Sequence, residues 1–243
     1  MKKHLTLASA LGASLALSLV ACKGGESYGE TTGSESLTSE TGTTVEATAS
    51  DLAAPALIGE VSIAELGRTA PDFRLLDSNG NSHDLSDFRG EPVVLEWVNL
   101  DCPFVKKHYG AGNMQALQER YTGEGVTWLT ICSSAPGKQG HLDGSGWNEA
   151  IAAKGMNATA VLIDESGIIG RAYDASTTPN MFVIDGEGQL VYSGAIDDQS
   201  SPSPSTIEGA TNHVAVTLDA LLAGDDVEPT ATKPYGCSVK YVN

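Results

Sequence analysis

The chain has 243 residues, 41% of them hydrophobic, which suits one domain of ordinary size with accessory segments. Acidic residues number 31 against 14 basic ones, a formal net charge of -17. That balance argues against nucleic acid as a partner, because phosphate binding needs clustered Lys and Arg, and it describes a self-repelling surface.

Residues 1–21 form a separate unit. Lys2 and Lys3 are a basic start, and residues 5–20 are uncharged and rich in Leu and Ala. This reads as a secretory signal rather than a spanning helix. It runs into Leu19-Val20-Ala21-Cys22, which resembles the lipobox of bacterial lipoproteins. The resemblance implies cleavage before Cys22 and acylation of that residue, and several acyl chains hold a soluble domain at a membrane. Lys23 resembles the outer-membrane default of Gram-negative lipoproteins. The expected location is therefore the cell envelope, lipid-anchored and facing the periplasm. Residues 22–57 are expected to be the lipidated Cys22 and a disordered tether. From residue 24 to 50 the chain is almost entirely Gly, Ser, Thr and Glu, too polar to offset its ordering entropy.

Residues 58–243 read as the folded domain. Ala70-Pro71-Asp72-Phe73 opens an extended stretch, and Asp77-Ser78-Asn79-Gly80 is a turn signal. The apolar, β-branched run at 93–98 predicts a buried central strand, followed by Asn99-Leu100-Asp101 and then Cys102. Pro103 fits the first position of a helix, which makes Cys102 its N-cap. Gly110-Ala111-Gly112 interrupts that helix, and Met114, Leu117 and Tyr121 resume it at helical spacing. A second buried strand follows at 126–131, then a glycine-rich loop at 137–146 and a helix at 147–153. Within this stretch Lys138, His141 and Trp147 are candidates to face a substrate. A short strand at 161–163, a short helix at 168–173, a hairpin over 181–192 and a last helix at 211–222 complete the pattern. Strands alternating with helices, plus one hairpin, predict an α/β fold with a central mixed sheet flanked by helices.

The junction at Cys102 carries the chemistry. A thiol at a helix N-terminus meets unpaired N–H groups and the positive end of the helix dipole, which favour the thiolate. Lys106 and Lys107, one turn on, are expected to add to this and Asp101 to oppose it. A buried structural cysteine is the plain alternative.

The strand at 93–98, the Cys102-Pro103 turn and Thr178-Pro179 before a hairpin resemble the redoxins, thioredoxin-fold proteins that include the AhpC/TSA-like peroxiredoxins and the membrane-tethered thioredoxins. Cys102-Pro103-Phe104-Val105 and the tail Gly236-Cys237-Ser238-Val239-Lys240 are similar to one peroxiredoxin-like branch. The resemblance implies a thioredoxin-like fold and an oxidoreductase that needs no cofactor. It implies that Pro179 is a cis-proline beside the active cysteine, leaving the Thr178 backbone free to pair with substrate. Glu96 matches the buried acid of thioredoxins, which relays protons to a thiol. Pro103 would help shape the binding face. Trp97 matches a strand aromatic, for which packing serves equally well. Two departures stand out. Val105 occupies the place of the second thioredoxin cysteine, and Leu95 and Asn99 replace the Pro and Thr that precede a peroxidatic cysteine. The turn also resembles glutathione peroxidases, without their Gln and Trp motifs.

A second sulfur must then come from a distance. Cys237, in a Pro- and Gly-containing tail read as mobile, is the favoured resolving cysteine, and Cys132 at the end of the second buried strand is the runner-up. A copper or zinc site from Cys102, Cys132 and a histidine is the remaining option. The paired-cysteine loop of thioredoxin-fold copper chaperones is absent, so no metal is expected. The functional expectation is a membrane-tethered thiol–disulfide oxidoreductase, with Cys102 as nucleophile, Cys237 as resolver and an unidentified thiol as electron donor. The alternatives are a peroxidase acting on hydroperoxides through a Cys102 sulfenic acid, and a non-catalytic binding lipoprotein.

Overall fold

The structure is a computed structural model that describes residues 62–242. The signal segment 1–21, Cys22, the tether 22–57 and the first residues of the expected domain lie outside the described residues.

Strands β1 (Arg74–Asp77) and β2 (Ser82–Asp84) make a hairpin around the Asp77–Gly80 turn. Asp77 holds that turn by accepting the N–H groups of Asn79 and Asn81. A 3-10 turn at Leu85–Phe88 leads to β3 (Val93–Trp97), buried at every position, Glu96 included. Helix α1 (Pro103–Gly110) begins directly after Cys102, with Pro103 in its first turn. It stops where expected, because Gly112 takes a left-handed conformation (φ 74°) before α2 (Asn113–Gly123). Strand β4 (Thr127–Cys132) follows, then α3 (Gly144–Lys154), β5 (Ala160–Ile163) and α4 (Ile168–Ala172). The two-residue β6 (Thr177–Thr178) precedes the hairpin of β7 (Asn180–Ile184) and β8 (Leu190–Gly194). Helix α5 (His213–Ala223) is capped by the Asn212 side chain, and β9 (Thr230–Ala231) and β10 (Cys237–Ser238) lie in the tail.

Among the described residues the strands form an eight-stranded sheet, ordered β2-β1-β5-β4-β3-β7-β8-β9, and a separate β10-β6 pair. β3, β4 and β5 are parallel, while β7 runs antiparallel to β3, so the sheet is mixed. The period of two along β3 divides the core. Val94 and Val98 face one side with α1, α2 and α5, whereas Leu95 and Trp97 face the other with α4. Each of these buried aliphatic side chains contributes about 1.5–3 kcal/mol. Glu96 shares the face of Val94, which sets a carboxyl among the residues beneath α1.

Three expectations need correction. The glycine-rich run 137–146 is not all loop. Its last glycines form the first turn of α3, where the Asp143 side chain accepts the Gly146 N–H at 2.8 Å. A Cβ on Gly144 would stand 2.6 Å from the Ser78 carbonyl oxygen, so close packing rather than flexibility explains the glycine there. Trp147 is fully buried in the core and does not face a substrate. The tail is not a free arm either. β9 pairs parallel to β8, and β10 pairs with β6.

Candidate active site

Strand β3 ends in a turn that Asn99 holds. Its Oδ1 accepts the Asp101 N–H at 2.9 Å, and its Nδ2 donates to the Gln139 carbonyl at 3.1 Å. The Cys102 N–H donates to the Asn99 carbonyl at 3.0 Å, which sets the sulfur at the start of α1. The Thr178–Pro179 peptide is cis, as expected. The Cys102 thiol donates to the Thr178 carbonyl at 3.0 Å and accepts the Cys237 N–H at 3.4 Å. Cys102, Thr178 and Cys237 therefore meet at one point, and all three described cysteines are free thiols.

The two sulfurs are electrostatically unequal. Burial works against ionising Cys102. The Cys237 thiol, the N–H groups of Val105 and Cys237, and the Thr178 hydroxyl outweigh it, so the Cys102 thiol is held below its ordinary range. Cys237 moves the other way, to about 11, through burial and its bond to the Cys102 sulfur. The Thr178 hydroxyl oxygen is buried and without a partner while Cys102 is a thiol. It is a donor held ready for the thiolate. Thr178→Val, close to isosteric, is expected to raise the Cys102 thiol and cut its thiolate fraction about tenfold at neutral pH. Ultraviolet thiolate absorbance against pH measures this, and an unchanged titration removes the hydroxyl from the site.

The lysines do not play the expected part. Lys106 sits 3.7 Å from Asp101, and both side chains are exposed. Lys107 is buried, with Nζ 3.4 Å from Asp197 and 3.0 Å from the Gln199 carbonyl. Each is answered by its own carboxylate rather than by the sulfur.

Sequence reasoning passed over the socket that Lys107 helps to build. The Tyr235 hydroxyl donates to Asp197, and His108 Nε2 lies 3.4 Å from the same hydroxyl. Phe104 packs on the Tyr235 ring at 5.6 Å and the Lys107 ammonium lies over it at 5.7 Å. Burial first, then Lys107, lowers His108 to about 4 against the pull of Asp197, so the imidazole is neutral at physiological pH. On the far side of Cys237, the Tyr241 hydroxyl donates to the Ala175 carbonyl at 2.6 Å and the Arg171 guanidinium covers its ring at 4.4 Å. Between these anchors Cys237 pairs with Thr178 and Ser238 with Thr177. The Thr178 backbone, expected to be open for substrate, is thus occupied by the protein's own tail.

Gly236 makes that approach possible. Its φ is 143°, and a Cβ there would stand 2.0 Å from the Thr178 oxygen. Gly236→Ala is expected to unseat β10 and speed alkylation of Cys102 about tenfold, the equivalent of 1–2 kcal/mol of backbone strain. An unchanged alkylation rate would show that the strap tolerates the methyl group.

Pro103 is exposed beside the nucleophile and Pro179 is buried behind it. Glu96 lies elsewhere. It is fully buried, accepting Trp128 Nε1 at 2.9 Å, Tyr109 Oη at 3.0 Å, and Thr130 and Gln118 at 3.1 Å each. Burial raises its carboxyl despite these four donors. Among the described residues no hydrogen bond joins it to Cys102. Cys132 is buried with its thiol raised by burial, and it points to the Gly140 carbonyl at 3.6 Å. It is Cys237 that meets the Cys102 sulfur. His141 bonds Glu165 at 2.6 Å, and Lys138 is exposed.

Comparison with known proteins gives the family and the relatives of this chain. The AhpC/TSA family model matches residues 66–193. The chain is 28% identical to the thiol-disulfide oxidoreductase ResA of Geobacillus kaustophilus, over 54% of this chain and 70% of that protein. It is 29% identical to ResA of Bacillus subtilis, over 55% and 68%. Among solved structures, an uncharacterized conserved protein from Geobacillus kaustophilus superposes with a TM-score of 0.64 at 29% identity, covering 74% of this chain and 94% of that one. A hypothetical protein from Sinorhizobium meliloti does so at 0.61 and 28%, covering 73% and 95%.

Proposed function

Because the chain belongs to the AhpC/TSA family, we propose that it is a thiol–disulfide oxidoreductase in which Cys102 is the nucleophile and Cys237 the resolving cysteine. The observation that carries this is the meeting of Cys102, Thr178 and Cys237, with one thiol lowered and the other raised. The thioredoxin-like fold and the relatives described as thiol-disulfide oxidoreductases support it.

The cycle balances as two exchanges. The Cys102 thiolate attacks one sulfur of a substrate disulfide, forms a mixed disulfide and releases the other substrate sulfur as a thiolate. Cys237 loses its proton and attacks the Cys102 sulfur, which frees the second substrate thiol and leaves a Cys102–Cys237 disulfide. Two electrons have passed to the substrate, and an external thiol restores the pair. Val105 at the second cysteine position of the turn makes the distant Cys237 necessary. Glu96 acts as a positioning residue, holding α1 through Tyr109 beneath the nucleophile. Pro103, Thr178 and Pro179 frame the face that substrate meets. The lipobox supports an anchor of acyl chains on Cys22, and Lys23 after it an outer-membrane location facing the periplasm. Among the described residues no helix is long and apolar enough to cross a membrane.

A second reading, reduction of hydroperoxides, is favoured by one observation. Cys102 is fully covered and the Thr178 edge is filled, so a small oxidant reaches the sulfur with least movement. Against it, the Asn99 side chain, where peroxiredoxins carry an orienting Thr, is engaged within its own turn. Disulfide mapping by mass spectrometry after brief exposure to oxidised glutathione or to hydrogen peroxide decides. A Cys102–Cys237 link forming fastest with oxidised glutathione is the expected result, and a faster reaction with peroxide favours the second reading. A Cys102 that stays a free thiol under both oxidants overturns both and leaves the binding lipoprotein.

A further inference from the structure

We propose that the socket under Tyr235 is a specificity site. It takes an aromatic side chain, tyrosine above all, two residues before the cysteine of the disulfide-bearing segment that Cys102 attacks, with glycine between them. The strap is then an internal copy of the substrate. This rests on the thiol–disulfide reading proposed above.

The argument begins with position. Cys102 is the N-cap of α1, and Phe104, Lys107 and His108 follow on the same helix, spaced so that they share one face. The helix that carries the nucleophile therefore carries the socket as well. The strap comes down on both: the Cys237 N–H meets the Cys102 sulfur, and the Tyr235 ring rests against Phe104 at 5.6 Å and the Lys107 ammonium at 5.7 Å. Asp197, from the loop after β8, closes the socket and accepts the Tyr235 hydroxyl, with His108 Nε2 at 3.4 Å. Lys107 and His108 are fully buried and Asp197 nearly so. A phenol suits both halves of such a site, an apolar ring for Phe104 and a donor for the carboxylate.

Access turns this anchor into a reader. Cys102 has no exposed surface and the Thr178 edge is filled by Cys237, so a protein disulfide reaches the sulfur only when the strap lifts. Lifting it draws Tyr235 out of the socket and deprives Asp197 and His108 of its hydroxyl. A segment that brings its own tyrosine restores that bond. One that brings alanine leaves buried polar groups unpaired, the loss by which a site discriminates most sharply. Glycine before the cysteine follows from Gly236, where a Cβ would collide with the Thr178 carbonyl. Because strap and substrate share one groove, the return of Cys237 to the sulfur also displaces the segment.

The test uses the full chain in detergent, reduced and then freed of reductant. The probes are end-blocked peptides Tyr-Gly-Cys-Ser-Val-Lys, its versions with Phe or Ala in first place, and Tyr-Ala-Cys-Ser-Val-Lys. The cysteine of each carries nitrothiobenzoate as a mixed disulfide. The Cys102 thiolate bonds to the peptide sulfur, the probe's S–S bond breaks and the coloured thiolate leaves. Cys237 then loses its proton, attacks the Cys102 sulfur and frees the peptide thiol. Initial rates of colour release are divided by each peptide's rate with reduced glutathione, which removes intrinsic reactivity. The same set is run on Tyr235→Ala, whose socket stands open. The expected result is the Tyr-Gly-Cys peptide about tenfold faster than the Ala-Gly-Cys and Tyr-Ala-Cys peptides, with Phe-Gly-Cys between, and the same order in Tyr235→Ala. Equal corrected rates in both proteins overturn the inference and leave the oxidoreductase standing. A Cys102–Cys237 link between two chains, formed in place of the peptide adduct, gives the socket to a second copy and overturns it too. Release that persists in Cys102→Ser, or no release with any probe, removes the oxidoreductase reading and the inference with it.

Discussion

Replacing Cys102 by Ser is expected to abolish disulfide reduction, a loss on the order of 10³-fold or more, because the hydroxyl is not ionised at neutral pH and no other thiol stands at the helix N-terminus. The same assay on Cys237→Ser should give a different signature. The first attack needs only Cys102, so one equivalent of substrate thiol is released and turnover then stops at a mixed disulfide. That adduct would run as a higher band on a non-reducing gel and disappear with added thiol. Equal activity of Cys237→Ser and the parent over many turnovers would show that another thiol resolves the intermediate. Cys132, directed at Gly140, would then need to move.

The second large effect concerns stability. Glu96→Leu is expected to destabilise the fold by about 3–5 kcal/mol, because it orphans Trp128 Nε1 and the Thr130 hydroxyl in the core and leaves Gln118 Nε2 and the Tyr109 hydroxyl only their bond to each other. Glu96→Gln keeps an acceptor and should cost about 1–2 kcal/mol. The pH dependence isolates the cost of burying its charge. Burial raises the Glu96 carboxyl in the folded chain above its unfolded value. Its contribution to stability is thus fully present below the ordinary glutamate range and is lost as pH rises through the raised value. Urea denaturation across that interval should show stability falling with pH in the parent and a flatter profile in Glu96→Gln. A parent profile that rises over the same interval contradicts the raised carboxyl.

The sequence made the sheet legible because the central strands are largely apolar, β-branched runs, broken in β3 only by Glu96, and the helix at Cys102 because Pro marks its start and Gly its end. The start of α3 was hidden because its first turn carries Gly144 and Gly146, poor helix formers kept by close packing and by the Asp143 cap. The nucleophile, its cis-proline and Cys237 were readable as motifs. Their electrostatic company was not, since Asp197 lies 95 positions from Cys102 in sequence and no periodicity links them. One signal was available. Tyr235, Cys237, Val239 and Tyr241 alternate with a period of two, the pattern of a strand with one face inward, and Lys233-Pro234 obscured it by reading as a mobile tail. Lys106 and Lys107 misled because helical proximity to the sulfur was read without the carboxylates that answer them.

The strap across Thr178 has a consequence for recognition. A strand tethered to its groove by the short segment after α5 behaves as a ligand at an effective concentration on the order of millimolar. A free peptide meets the groove as a competitor against that standing occupant, so weak, generic strand addition is screened out. Only partners with further contacts gain entry. Oxidation makes the occupant covalent, so the protein's affinity for extended partners becomes a readout of its own redox state.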